Sequence, residues 1–149
     1  ELIVNFLDMM ENHKMLVENS GLLTVAALKH LDCKGKKIVS ILSGGNMDVI
    51  TLSSVVQHGL IERGRVFTVS VQLPDRPGEL VNVANVIAKL KGNVIRLEHN
   101  QFVSINRNSA VELRITLEAF GHEHKKEIID ALRNHGYDPK EESPTGLYE

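Results

Sequence analysis

The chain is short of several features that mark common classes of protein, and each shortage excludes one class. It has a single cysteine, Cys33, among its 149 residues, so an internal disulfide is excluded and a reducing compartment is favoured. No apolar run reaches the roughly 20 residues that a membrane-spanning helix needs. The formal net charge of −2 gives no general attraction to nucleic acid or to an anionic membrane. We therefore expect a cytoplasmic protein with no nucleic acid and no membrane among its partners.

Histidine is well represented, with seven residues, but its spacing does not favour a metal site. His122 and His124 flank Glu123, which is not the HExxH zinc signature. Positions two apart on a helix also face different ways. The segment is better explained as a helix start, with Glu123 near the positive end of the helix dipole. We predict no metal site.

The first part of the chain has apolar segments in the order helix, helix, strand, helix. The predicted helices span 2–16, 20–31 with Ser20 as N-cap, and 48–63. The predicted strand, Lys37–Leu42, is short and continuously apolar, as in the centre of a parallel sheet. One strand cannot form a sheet alone, and the chain starts at Glu1 rather than at a methionine. We therefore expect residues 1–63 to be the mainly helical C-terminal remnant of a larger α/β domain.

The second part, residues 64–142, has the pattern of a complete α+β domain. Its predicted elements are a strand at 65–73, a helix at 77–90 that starts with Pro77, strands at 94–103 and 109–119 joined by a hairpin turn at 106–108, a helix at 123–135 closed by Gly136, and an edge strand at 137–141. The third strand alternates apolar and polar residues, so one sheet face should be buried. The order βαββαβ is the ferredoxin-like arrangement, and residues 143–149 are expected to be a flexible tail.

The turn Pro74–Gly78 joins the first strand of this part to its first helix. Free N–H groups and the helix dipole converge at such a corner, which can hold a small anion. A carboxylate would lie against the N–H groups near Gly78, Glu79 and Leu80, while Asp75 would accept an ammonium group. The alternative is an ordinary turn with a proline-led helix start.

The corner from Leu73 to Leu80, with Gly92-Asn93-Val94 after the helix, resembles the ACT domain, a regulatory module that binds amino acids. The resemblance covers about residues 66–142. It implies a homo-oligomer held through this domain, with Asn93 bonding the effector of a neighbouring subunit. Because some ACT domains only assemble subunits, an oligomerisation module that binds no effector is the alternative function.

The upstream residues resemble the end of the catalytic domain of threonine dehydratase (threonine ammonia-lyase), which uses pyridoxal phosphate on a fold-type II scaffold. The resemblance rests on Glu18–Gly21, Leu23–Leu28 and the run Ser43-Gly44-Gly45-Asn46 after the predicted strand. It places Ser43 opposite the pyridine nitrogen of the cofactor, with Gly44, Gly45 and Asn46 along the cofactor's edge. From the residues alone, this run is equally well a strand-to-helix turn with Asn46 as N-cap.

Together, the two resemblances imply the regulatory region of an enzyme that deaminates L-threonine to 2-oxobutanoate and ammonia. Isoleucine is the first expected effector and valine the second. The family's cofactor-binding lysine motif and its glycine-rich phosphate loop have no counterpart in this sequence. We therefore predict that the fragment has no catalytic residues, binds no pyridoxal phosphate by itself and is inactive.

RNA-recognition motifs share the order βαββαβ, which makes RNA binding a competing function. These motifs stack bases on aromatic side chains of their central strands. The third predicted strand, 109–119, contains no aromatic residue. RNA binding is therefore disfavoured.

Overall fold

The computed structural model of the protein describes residues 1–100 and 110–143. The chain divides into two compact units, Glu1–Glu62 and Arg63–Glu149. Within the described ranges, no helix is long and apolar enough to cross a membrane.

The first unit is helical. Its elements are α1 (Leu2–His13), α2 (Leu23–Ala27), a single 3₁₀ turn (Leu28–His30) and α3 (Val49–Glu62). Phe6 and Leu7 on α1 are fully buried, and apolar side chains of α3 pack against the cluster that they form. Gly59 allows this approach, since a Cβ there would lie 2.5 Å from Leu7 Cδ1.

Helix α3 confirms the helix predicted at 48–63, and Asp48 caps its N-terminus. The Asp48 carboxylate accepts hydrogen bonds from the Thr51 N–H at 2.9 Å and from the Thr51 hydroxyl at 2.6 Å, as an N-cap residue does. These bonds hold the pKa of Asp48 below its usual value, and the bond from the Thr51 hydroxyl has the largest effect. Asp48, rather than Asn46, is therefore the cap.

Two predictions for the first unit are wrong. Residues 37–42 form no strand, and Val39 and Ile41 are 89% and 74% exposed. An apolar run becomes a strand only beside a hydrogen-bonded neighbour, and all the described strands lie in the second unit. Ser20 does not cap a helix, because its hydroxyl bonds the Glu18 carboxylate at 2.5 Å and α2 begins only at Leu23.

The second unit confirms the predicted α+β, ferredoxin-like fold. Its elements are β1 (Val66–Pro74), α4 (Glu79–Lys89), β2 (Asn93–Asn100), β3 (Ala110–Glu118), α5 (His122–Asn134) and β4 (Lys140–Glu142). The described strands form one sheet in the order β2-β3-β1-β4, with every neighbouring pair antiparallel. β4 lies at an edge after Pro139, as predicted, although it starts three residues later than expected.

The alternation predicted along β3 is also confirmed. Val111, Leu113, Ile115 and Leu117 are at most 3% exposed, and the last three pack with the apolar face of β1 and with α4 and α5. The opposite face of the sheet is polar, and there the hydroxyl oxygens of Thr68 and Thr116 lie 2.9 Å apart. One face of the sheet therefore carries the core of this unit.

The helix predicted to start at Pro77 starts at Glu79 instead. Gly78 is the N-cap, with a φ of +97° that interrupts the helical path and that glycine adopts readily. The Arg76 N–H donates to the Pro74 carbonyl at 2.8 Å, which closes a tight turn before the helix. Of the predicted strand at 94–103, the described part belongs to β2, whereas the predicted hairpin turn at 106–108 lies outside the described residues.

His124 joins the start of α5 to the end of α4. Its Nδ1 accepts the Phe120 N–H at 3.0 Å, and its Nε2 bonds the Leu90 carbonyl at 2.6 Å. Because a backbone N–H donates to Nδ1, the proton of the neutral ring lies on Nε2. The Phe120 ring stacks on the imidazole, with the ring centroids 4.7 Å apart. His124 therefore has a structural role.

Candidate functional site

A cavity of about 330 Å³ lies where β1 ends and α4 begins. It is lined by the whole segment 73–80 and by His99 and Val111. The segment includes four predicted effector-binding residues, Asp75, Gly78, Glu79 and Leu80, so the structure brings these four together around one cavity. Its volume is within the range of small-molecule sites.

The first turn of α4 supplies backbone hydrogen-bond donors to this cavity. The Glu79 N–H donates weakly to the Arg76 carbonyl at 3.4 Å. The N–H groups of Gly78 and Leu80 have no acceptor among the described residues. Unpaired donors at a helix N-terminus favour an anionic group, so the corner can hold a carboxylate.

The floor of the cavity is apolar and comes from neighbouring strands. Leu73 of β1 and Val111 of β3 face each other in register and are 2% and 3% exposed. Leu80 is 36% exposed at the rim. A ligand with an apolar side chain would bury that side chain on this floor.

His99 is a lining residue that the sequence did not single out, because no motif surrounds it. Strands β1 and β2 are both antiparallel to β3, so they run in the same direction. Their C-terminal ends therefore lie at the same end of the sheet, on either side of β3. His99 is near the end of β2 and therefore lies beside the end of β1. The signal in the sequence was the predicted topology, which places the ends of the two strands together.

The charges around the cavity are of both signs. Asp75, Arg76 and Glu79 all line it. The Glu79 carboxylate also accepts a long hydrogen bond from the Tyr137 hydroxyl, at 3.5 Å. Burial raises the pKa of Tyr137, and the neighbouring Glu79 charge raises it further, so the phenol keeps its proton at neutral pH. Asp75 is thus the carboxylate at the corner that remains available to an ammonium group.

Asn93, the fifth predicted effector residue, lies far from the cavity within one chain. It is the first residue of β2 and pairs with Glu118, whereas His99 pairs with Leu113. Asn93 and His99 are six residue steps apart along the strand, which is about 20 Å. The Asn93 side chain donates to the Glu118 carboxylate at 3.2 Å. Only an Asn93 from a second chain would be able to reach this corner.

The predicted cofactor-facing run, 43–46, is an exposed irregular segment of the first unit. Its glycines allow close packing against residues 16–21. A Cβ at Gly44 would overlap the Glu18 carboxylate, and a Cβ at Gly21 would overlap the Ser43 carbonyl. The Glu18 N–H donates to the Gly44 carbonyl at 3.2 Å. Two chain segments are thus held side by side with the Ser43 side chain at the surface.

Pyridoxal phosphate fits these residues only in part. The Ser43 hydroxyl is exposed and has no partner among the described residues, so it is available to a pyridine nitrogen. The glycine that would let the backbone approach a cofactor ring, Gly44, instead has the Glu18 side chain against it. Elsewhere in the described part of the chain, no three His, Cys, Asp or Glu side chains group closely enough to hold a metal ion.

Comparison with known proteins relates the chain to threonine ammonia-lyases. No protein-family model matches the chain. An L-threonine ammonia-lyase of Geobacter sulfurreducens is 38% identical over 92% of this chain and 35% of its own length. One of Thermotoga maritima is 32% identical over 93% of this chain and 35% of its own length.

Two more distant matches are a curated protein and a solved structure. A protein of Pasteurella multocida named L-threonine dehydratase biosynthetic IlvA is 29% identical over 88% of this chain and 25% of its own length. The crystal structure of protein BT0572 from Bacteroides thetaiotaomicron is 19% identical, with a TM-score of 0.40 over 52% of this chain and 48% of that one. The chain spans about 35% of the length of the first two curated relatives. By sequence, the chain matches the C-terminal part of a threonine dehydratase.

Proposed function

We propose that this chain is the regulatory region of a threonine dehydratase. In this proposal, residues 64–142 form an ACT-type domain that binds an amino acid, and residues 1–63 form the C-terminal end of the catalytic domain. The observation that carries the proposal is the corner cavity, which combines unpaired backbone donors, charges of both signs and an apolar floor. The full enzyme would act in the cytoplasm and deaminate L-threonine to 2-oxobutanoate and ammonia.

The cavity suits a zwitterionic amino acid with a branched apolar side chain. The carboxylate would accept from the N–H groups of Gly78 and Leu80, while the ammonium group would pair with Asp75. The side chain would cover the floor formed by Leu73 and Val111. Isoleucine and valine both meet these requirements, and the resemblance to threonine dehydratase makes isoleucine the first candidate. Such a ligand shifts the enzyme between states only by the difference in its affinity for them.

Residues 43–46 would contribute to the active site of the full enzyme. Pyridoxal phosphate, when bound there, supplies the electron sink for the elimination. Ser43 would offer its hydroxyl to the pyridine nitrogen and keep that nitrogen largely unprotonated. Gly44, Gly45 and Asn46 would shape the edge beside it. Because the lysine motif is absent from this sequence, the chain by itself would bind the cofactor weakly and would not turn over substrate.

Calorimetric titration of the chain with isoleucine, valine, threonine and serine tests the effector site. We expect isoleucine or valine to bind most tightly. Asp75→Asn should weaken that binding about fivefold, because an exposed charge pair contributes up to about 1 kcal/mol. Asp138→Asn, an exposed change in the same unit, is the matched control and should leave the affinity unchanged. Absence of any heat at millimolar concentrations of all four would rule out the effector site and leave the assembly role.

Subunit assembly is supported by a separate observation, the edge position of β2 in the sheet that the described strands form. Val94, Ile95 and Leu97 are 39%, 45% and 41% exposed on this edge strand. An unprotected apolar edge is a template for pairing with another strand. Antiparallel pairing of two β2 strands would bring the partner's Asn93 towards His99, at the corner. The same dimer would then complete the effector site.

Sedimentation at micromolar concentration tests the assembly. We expect a dimer or a larger species for the unmodified chain and a shift towards monomer for Leu97→Lys, since a charge on an edge strand opposes pairing. Val81→Lys on α4, at a residue 58% exposed, is the control and should leave the assembly intact. A monodisperse monomer, or equal behaviour of the two variants, would contradict pairing through β2.

A further inference from the structure

A second cavity, of about 340 Å³, lies between α4 and the end of α5. It is lined by Asn82, Asn85, Val86, Lys89, His135 and Tyr137. The four α4 residues are spaced at i, i+3, i+4 and i+7, which places them on one stripe about 10 Å long. None of the six lines the corner cavity. The groove is therefore a distinct concave surface of the second unit.

The polar groups of this groove have unused hydrogen-bonding capacity. The side chains of Asn82, Asn85 and Lys89 are exposed, and none has a polar partner within the described residues. The His135 Nδ1 bonds the Ala131 carbonyl at 2.8 Å, so Nδ1 carries the proton and the Nε2 lone pair of the neutral ring remains free. The groove thus offers two carboxamides, an ammonium group and one acceptor nitrogen.

The apolar part of the groove is rigid. Val86 is 5% exposed at its base and belongs to the core cluster. Tyr137 is held by its N–H, which donates to the Leu132 carbonyl at 3.1 Å, and by its hydroxyl, which donates to Glu79. A short carbon chain would find a preformed surface between these two side chains.

The side chains that line the groove carry a different charge from those that line the corner cavity, so the two favour different ligands. Among the described residues that line the groove, Lys89 provides the positive charge, and none is acidic. The corner has Asp75 to balance an ammonium group, whereas in the groove an ammonium group would meet Lys89. The groove therefore favours an anion that has no ammonium group.

We propose that this groove is a second ligand site, which binds a small carboxylate bearing a hydroxyl group. The carboxylate pairs with Lys89 and accepts from the Asn85 amide, the hydroxyl donates to the His135 Nε2, and the carbon chain lies on Val86 and Tyr137. This site is distinct from the proposed effector site, because the two cavities share no lining residue, although the Tyr137–Glu79 hydrogen bond joins their walls.

Titration of the isotope-labelled full chain with L-2-hydroxybutanoate, followed by amide NMR shifts, tests the site. We expect saturable shifts confined to residues 82–89 and 135–137. Lys89→Gln should weaken binding about two- to fivefold. Lys126→Gln, an equal change of charge at an exposed position of α5, should leave the affinity unchanged. Equal affinities of the two variants, or shifts scattered over the surface, would overturn the proposal.

Two comparisons test the ligand class and separate this site from the corner. L-2-aminobutanoate, which replaces the hydroxyl by an ammonium group, should bind the groove more weakly than L-2-hydroxybutanoate. Butanoate should bind about threefold more weakly, and His135→Ala should abolish that difference. Equal groove shifts with all three compounds would overturn the assignment. Asp75→Asn should leave the binding of L-2-hydroxybutanoate unchanged, whatever it does to isoleucine.

Discussion

Replacing Leu113 by alanine should lower the free energy of unfolding of the second unit by about 2–5 kcal/mol. Leu113 is fully buried and sits in β3, one of the two inner strands of the sheet, opposite Val71 on one side and His99 on the other. Alanine would leave a cavity that the rigid sheet cannot close. Because natural domains are stable by only about 5–15 kcal/mol, urea unfolding followed by circular dichroism should show a clearly earlier transition.

Val81→Ala is the control for this prediction. Val81 lies on α4 of the same unit and is 58% exposed. Its truncation removes much less buried area and should cost about 1 kcal/mol or less. If the two variants unfolded at the same urea concentration, the core would not be centred on β3.

Replacing Gly21 by alanine should destabilise the first unit by about 1–3 kcal/mol, the usual cost of overpacking. The added Cβ would overlap the Ser43 carbonyl and would lie 2.8 Å from a methyl group of Val17. The carbonyl is backbone and cannot rotate away, so segments 16–21 and 43–45 must separate. Hydrogen exchange should then rise in both segments, because the Glu18 N–H bond to Gly44 depends on their approach.

Gly35→Ala separates this steric effect from backbone strain. Gly35 has a φ of +73° and nothing within 4 Å of an added Cβ, so alanine there should cost about 1 kcal/mol from conformation alone. Its effect on exchange should stay near the turn at residue 35. Faster exchange at 43–45 in Gly35→Ala, or none in Gly21→Ala, would contradict the proposed packing.

The corner shows how far local sequence signals reach. Asp75, Gly78, Glu79 and Leu80 are consecutive or nearly so, and the turn between a period-2 and a period-3.6 pattern places them together without any long-range information. His99 and Val111 come from other strands, and strand pairing alone brings them to the same cavity. The start of α4 was misplaced by two residues because Pro77 is a good first helical residue, yet the turn closed by Arg76 ended at Gly78.

The segment 37–42 shows the opposite case. Its composition suits a buried parallel strand, but strand structure requires hydrogen bonds to a neighbour, and the described residues of the first unit provide none. Ser20 likewise has the chemistry of a cap, but its hydroxyl is engaged by Glu18. For segment 37–42 the outcome depended on which groups were nearby in space, whereas for Ser20 it depended on a carboxylate two residues away in the sequence.

By itself, the sequence determined the ferredoxin-like order of the second unit and the buried face of β3, because periodicity and turn residues act over a few neighbouring positions. It also determined the resemblance to threonine dehydratase, which the relatives support. Only the tertiary structure decided that His99 joins the corner, that Asn93 lies at the far end of β2 and that a second groove opens between α4 and α5. These features join residues far apart in the chain, and their proximity exists only once the strands have paired and the helices have packed on them.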